Sequence, residues 1–233
     1  MNKDLELENY LSISPSKFGI YLFDKKNLKN LYKEELIIKK NNKLINLDDL
    51  KKFLDNNIFK IEKLSGKFVK DIFLIFENEK ILNLEIGIKK KNYNISITKH
   101  YLEKLLIEGK DLFRENYQDQ EIMHMLINKY LFNDKSYQSF QENLKCNHLA
   151  LEIEFKFIPI SIIYDLNKIL ENYQIKIVRY IDGGYLKNIF NDDLELSVMA
   201  HKILSGYNEN EVTFMPKNTK KYGFFEKFFQ LFS

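Results

Sequence analysis

Along this chain the hydrophobic period switches repeatedly between two and 3.6, and that switching limits the possible folds more than any other feature. KFGIYLFD (Lys17 to Asp24) and VKDIFLIF (Val69 to Phe76) are rich in β-branched and aromatic residues. They read as buried strands, the second of them central to its sheet. Between them Leu47, Leu50, Phe53, Leu54, Ile58, Ile61 and Leu64 recur at helical spacing. Asn46 is the expected N-cap, Asp48 and Asp49 sit where the helix dipole favours acids, and Ser65-Gly66 stops the helix. Leu31 to Lys40 alternates as a strand antiparallel to the first. With a short strand before Lys17 the order becomes β-β-β-α-β, which places the chain in the α/β class.

A second unit begins near Glu79. Ile81 to Lys89 reads as a strand, and Thr98 caps a helix from Lys99 to Phe113. Strands follow over Glu121 to Phe132 and Leu149 to Ile158, separated by a polar hairpin or loop over Asn133 to Lys145. Pro159 ends the second of these. A helix over Ser161 to Asn172 and a strand over Ile175 to Ile181 complete a β-α-β-β-α-β order. Gly183-Gly184 reads as a turn after that strand. A helix spans Leu194 to Leu204, with Asp192 and Asp193 at its N-cap and Gly206 as its stop. No period of 20 to 50 residues repeats, so no solenoid is implied.

Composition narrows the function. The net charge is +3 and only one residue is cysteine. Lysine is abundant, but arginine occurs only as Arg114 and Arg179. Basic residues do not cluster with aromatics as a nucleic-acid footprint would require, so no nucleic-acid partner is expected. Cys146 excludes an internal disulfide and a cysteine-based zinc site. It reads as an inert thiol in a polar loop. The histidines at 100, 124, 148 and 201 lack metal-ligand spacing, and His124 reads as a packed or edge residue. Lys89 to Lys91 reads as a solvated strand end. The acidic N-terminus lacks a signal-peptide core, and no apolar run approaches the roughly 20 residues that cross a bilayer.

The C-terminal segment stands apart. Phe224, Phe225, Phe228, Phe229, Leu231 and Phe232 fall on one face of a helix, with Lys227 on the other side and Lys220 and Lys221 just before it. Such a basic, Phe-rich amphipathic helix suits the interface of an anionic membrane. Residues 207–221 are polar and read as a flexible linker.

These elements, in this order, resemble the bacterial cell-division protein FtsA, an actin-like family with an inserted SHS2 (1C) subdomain. LSISPSKFGIYLF (Leu11 to Phe23) corresponds to the family's first phosphate turn, L-D-I-G-[ST]-[ST]-K. LSGKFVKDIFLIF, the Ile97-Thr98 helix start, His124 and Tyr130 in MHMLINKYLFND, LALEIEFKFI and ENYQIKIVRYI follow the family's later motifs. GFFEKFFQLF is similar to its membrane-targeting helix. The resemblance implies a partial actin-like (ribonuclease-H-like) sheet over 1–79, closed by 183–206. It also implies an SHS2-like insert over 80–182, a linker over 207–221 and a membrane helix over 222–233.

The sequence departs from the family at its nucleotide turn. Ser12 stands at the family's acidic position, and Ser14 followed by Pro15 stands at its glycine. No Gly-rich loop occurs elsewhere to cradle a phosphate. The turn that opens the family's second actin half has no counterpart, so no cofactor and no enzymatic activity are expected. The resemblance implies a peripheral adaptor on the inner face of the cytoplasmic membrane, at the division site. It would link division-ring proteins such as FtsZ or later divisome components, with self-association possible in principle. The alternative is a PilM-like actin-fold platform of a pilus or secretion assembly, binding a cytoplasmic peptide of a membrane partner.

Overall fold

The computed structural model describes residues 6–38, 45–191 and 194–213. In chain order the elements are β1 (Leu7–Ile13), β2 (Lys17–Asp24), β3 (Lys29–Ile37), α1 (Leu47–Ser65), β4 (Asp71–Phe76), β5 (Leu82–Ser96) and α2 (Lys99–Asn116). They continue with β6 (Gln120–Phe132), β7 (Lys135–Tyr137), β8 (Lys145–Pro159), α3 (Ile160–Glu171), β9 (Lys176–Asp182), α4 (Gly183–Phe190) and α5 (Leu196–Leu204). They form two units: Met1–Ile81 with Ile158–Tyr207, and Leu82–Phe157 with Asn208–Ser233.

The first unit is built on a five-stranded sheet ordered β3-β2-β1-β4-β9. β2 runs antiparallel to β1 and β3, while β4 and β9 run parallel to β1. One reversed strand in that order is the ribonuclease-H-like arrangement on which actin-like domains are built, so the α/β fold class expected from the sequence holds. The central strands are apolar because both faces are covered. Tyr10, Leu11, Phe18, Ile20, Phe23, Leu74 and Ile75 are all fully buried. α1 covers one face: Phe53 packs on Phe18 and the buried Asn57 accepts a hydrogen bond from Tyr32 Oη. On the other face Phe23 meets His201 of α5, which bonds Glu8 at 2.9 Å.

Local signals set α1 as expected. Asn46 Oδ1 accepts from the backbone N–H groups of Asp48 and Asp49, and Gly66 ends the helix at φ 69°. That left-handed conformation suits a residue without a β-carbon.

The second unit holds a four-stranded sheet ordered β5-β8-β6-β7. α2 packs on it closely at Gly109, where a β-carbon would stand 3.0 Å from Ile88 Cδ1 and 3.2 Å from Ile153 Cδ1. Phe113 stacks on Phe155 at 4.9 Å and meets Phe157 edge-on at 5.0 Å.

Several expectations change. β9 pairs in parallel with β4, and α3 belongs with it in the first unit. The insert is therefore β-α-β-β-β and ends at Phe157, not at residue 182. Gly183-Gly184 opens a helix and not merely a turn, because Asp182 caps α4 and Tyr185, Leu186 and Phe190 are buried beneath it. Cys146 is not in a polar loop. β8 starts at Lys145, pairs with the far end of β5 beyond a bulge at Lys91/Ile95, and turns Cys146 inward. Lys89 to Lys91 accordingly lies within a paired strand and not at its end.

Residues 208–213, expected as linker, are held against β6. Ile127 N–H donates to Asn210 O at 2.9 Å and Val212 N–H to Met125 O at 2.8 Å. Glu211 meets the buried His124 at 2.8 Å, and the Val212 side chain is buried in the core of this unit. His124 is thus the packed histidine the sequence suggested.

Candidate functional site

In open α/β sheets ligands gather beyond the carboxyl ends of the parallel strands. Three chain segments meet that description in the first unit: the β1–β2 turn, the end of β4 and the step from β9 into α4.

The β1–β2 turn is closed by its own bonds. Ser14 N–H donates to Lys17 O at 2.9 Å, and Lys17 N–H donates to Ser14 Oγ at 2.9 Å. Ser14 Oγ also lies 3.0 Å from Lys17 O. Pro15, between them, has no N–H. Two of the amides that could have faced an anion are committed inside the turn, and a third does not exist.

Ser12 is buried at the end of β1, next to Gly19 and Tyr21. A β-carbon on Gly19 would stand 2.5 Å from both Ser12 Oγ and Tyr21 Oη, so Gly19 leaves the room in which these hydroxyls sit. Tyr21 Oη donates to Glu35 Oε1 at 2.8 Å, and Lys17 Nζ reaches the same oxygen at 3.1 Å. Burial pushes the Tyr21 hydroxyl far above its ordinary range. Burial alone would raise the Glu35 carboxyl as well, but the bonds from Tyr21 and Lys17 hold it below its usual value. At this strand end Ser12 therefore presents a neutral hydroxyl and no carboxylate.

The other two segments are similarly occupied. Glu77 follows β4, is held by a backbone bond to Ile13 O and pairs with Lys187 of α4 at 2.7 Å. Asp182 Oδ1 accepts from Gly184 N–H at 2.8 Å, filling the N-terminus of α4. Gly183 lies flush on Glu77, where a β-carbon would stand 2.3 Å from Cγ. Carboxylates of the chain itself thus sit where an incoming phosphate would need donors. Among the described residues no three His, Cys, Asp or Glu side chains converge on a metal-sized site.

Of the residues singled out from sequence, the structure therefore gathers Ser12, Ser14 and Pro15 at one strand end. Lys220, Lys221, Phe224, Phe225, Lys227, Phe228, Phe229, Leu231 and Phe232 lie outside the described residues, as do Asp192 and Asp193. No helix among the described residues is long and apolar enough to cross a membrane. Glu35, Glu77, Asp182 and Lys187 escaped the sequence reading. The signal for Glu77 and Asp182 was present, since each is the carboxylate that closes an apolar strand. Burial pushes the Cys146 thiol up, which disfavours the thiolate and any nucleophilic role.

No family model matches the sequence, and no curated protein matches it. Solved structures do resemble it. One is the PilM-PilN type IV pilus biogenesis complex, with a TM-score of 0.48, 8% identity, and coverage of 78% of this chain and 49% of that one. Another is the cytoplasmic domain of EpsL, an inner membrane component of the type II secretion system of Vibrio cholerae, with 0.41, 6%, 78% and 59%. A third is a Bacteroides thetaiotaomicron protein with an actin-like ATPase fold, with 0.34, 12%, 80% and 55%. The chain spans between 49% and 59% of the length of these three chains. At these identities and scores the fold assignment rests on the strand order itself.

Proposed function

We propose that this chain is a non-enzymatic platform on an actin-like half-scaffold, attached peripherally to a membrane by its Phe-rich segment and holding a protein partner there. The observation that carries it is the closed Ser14–Lys17 turn. Its Ser14 and Lys17 amides are bonded to groups of the turn itself, which supports a scaffold used for binding rather than for a nucleotide-driven switch. The basic Phe-rich pattern from Lys220 to Phe232 supplies the membrane contact.

Two of the resembling structures are named as pilus and secretion components, and a platform that holds a cytoplasmic peptide of a membrane partner is the reading placed first. An SHS2-bearing adaptor for FtsZ or later division proteins rests on the sequence motifs alone and comes second. Affinity capture of the tagged full chain from its native cell membranes separates the two. Recovery of inner-membrane assembly components supports the first, and recovery of division-ring proteins replaces it with the second. The membrane claim is tested by vesicle co-sedimentation of the full chain and of a chain ending at Met215. Equal binding by both would remove the Phe-rich segment from the account.

A further inference from the structure

One end of the first unit, where β1, β4 and β9 begin, combines exposed cations with exposed apolar side chains. Phe59, Leu64 and Phe68 are 72%, 59% and 80% exposed. Lys60, Lys63 and Lys67 are exposed between them. Helical spacing sets Phe59 next to Lys63 and Lys60 next to Leu64 on α1. Lys176 N–H bonds Lys70 O at 2.8 Å, which brings two further exposed lysines to the same end. A groove of about 720 Å³ there is lined by Phe68, Phe73 and the half-exposed Val178, with Lys67, Lys70 and Asp71 among its polar residues. Among the described residues none of these five lysines is in an ion pair. The acids nearby are Asp71, Glu62 and Glu8; the Glu62 carboxylate accepts from Val69 N–H, and Glu8, which also lines the groove, is paired with Lys25 and His201.

Single exposed apolar residues on a protein surface are ordinary. Three large ones within ten residues, interleaved with three cations, are a different pattern. Lysine stems lie along apolar neighbours while their ammonium groups reach outward to charged headgroups. Phe59 and Phe68 are the most exposed of these side chains, and Phe68 keeps most of its surface toward solvent although it borders the groove, which suits insertion into a soft phase better than docking against a shaped protein surface.

We propose that this surface is a second membrane contact whose partner is an anionic lipid bilayer. The lysines meet the lipid phosphates, and Phe59, Leu64 and Phe68 enter the headgroup boundary. The proposal leans on the Phe-rich segment only for avidity, since two weak contacts on one chain reinforce each other on a shared surface.

The test is co-sedimentation of the full chain with vesicles of phosphatidylcholine alone and of phosphatidylcholine mixed with phosphatidylglycerol. Three variants are compared: Lys60→Glu with Lys63→Glu and Lys67→Glu; Phe68→Ser; and Phe225→Ser with Phe229→Ser. Each lysine near an anionic leaflet is worth about a fivefold change in affinity, so the triple variant is expected to bind anionic vesicles about a hundredfold more weakly. Its binding to neutral vesicles stays unchanged. Phe68→Ser weakens binding to both kinds of vesicle. The tail variant keeps a residual, salt-sensitive binding to anionic vesicles.

If the triple variant, with unaltered circular dichroism, binds anionic vesicles as tightly as the original chain, the proposal fails and the tail reading is untouched. If it loses binding to a poly-glutamate peptide but none to vesicles, the surface belongs to an acidic protein segment and the lipid assignment falls. If only the tail variant is silent, the tail reading fails and this one stands.

Discussion

Gly183 lies so close to Glu77 that a β-carbon there would stand 2.3 Å from Cγ and 2.9 Å from Cδ. Gly183→Ala must push Glu77 aside and break its 2.7 Å contact with Lys187. The pair itself is half-exposed and worth little. The cost comes from overpacking at a strand end, typically 1–3 kcal/mol, or roughly 2–4 °C in Tm for each kcal/mol. Gly184→Ala is the control. Its nearest contact is Asp182 Oδ1 at 3.2 Å and the site is helical, so thermal unfolding is expected to show a much smaller change. Glu103 gives a pH-dependent prediction. It is buried on α2, its Oε2 has no hydrogen-bond partner, and burial raises its carboxyl above the ordinary range while His100 offsets only part. A raised folded pKa favours protonation in the folded state. Its contribution is fully present below the unfolded value and is lost as pH rises through the folded one. Glu103→Gln is therefore expected to raise stability at pH 7 by about 1 kcal/mol, read as a higher Tm, with the gain fading as the pH falls toward the ordinary carboxylate range. A gain of the same size at pH 4 and pH 7 would show that the charge is not its source.

At the scale of elements, what the sequence disclosed depended on whether the deciding interaction was local. Asn46, Asp48, Asp49 and Gly66 act within one turn of α1, and the cap and stop lie where the sequence places them. Asn46→Ala is expected to cost about 1 kcal/mol by thermal unfolding. α4 was hidden because two glycines read locally as a turn, whereas burial of Tyr185, Leu186 and Phe190 decides in favour of helix. Assigning β9 to a sheet required knowing that Asp71 to Phe76 would be its neighbour, and strand periodicity carries no partner information. Cys146 hid for a similar reason: KCNH is polar in composition but alternates in register once β5 supplies a partner. The docking of residues 208–213 was hidden most deeply, since the polar residues there resemble a linker until Glu211 finds His124. That contact is testable. Both side chains are nearly inaccessible, so Glu211→Ala removes a buried hydrogen bond and is expected to cost about 1–3 kcal/mol. Lys129→Ala, which breaks an exposed pair with Glu152, is expected to change Tm little. Similar losses from the two variants would mean that residues 208–213 do not stay docked on β6 in solution.

For the molecule as a whole the decisive question is whether this scaffold answers to nucleotide. The sequence raised it at Ser12, Ser14 and Pro15, and these three were legible because a phosphate turn needs particular residues at fixed offsets. The groups that occupy the rest of the site, Glu77, Asp182 and Lys187, come together only through the sheet. Placing a glycine at Ser14 would remove the hydroxyl that accepts from Lys17 N–H and free that amide, yet Pro15 would still lack a donor and Glu77 and Asp182 would still repel a phosphate. The expectation is therefore that Mg-ATP leaves the Tm of the original chain unchanged, and that Ser14→Gly does too. A ligand present at 100 times its Kd stabilises a fold by about 2.7 kcal/mol, so a scan with excess nucleotide would expose even modest binding. A clear upward shift for the original chain would mean that the turn opens against its own hydrogen bonds to admit a phosphate. In that case the platform would regain a switch, and the non-enzymatic reading would have to be given up.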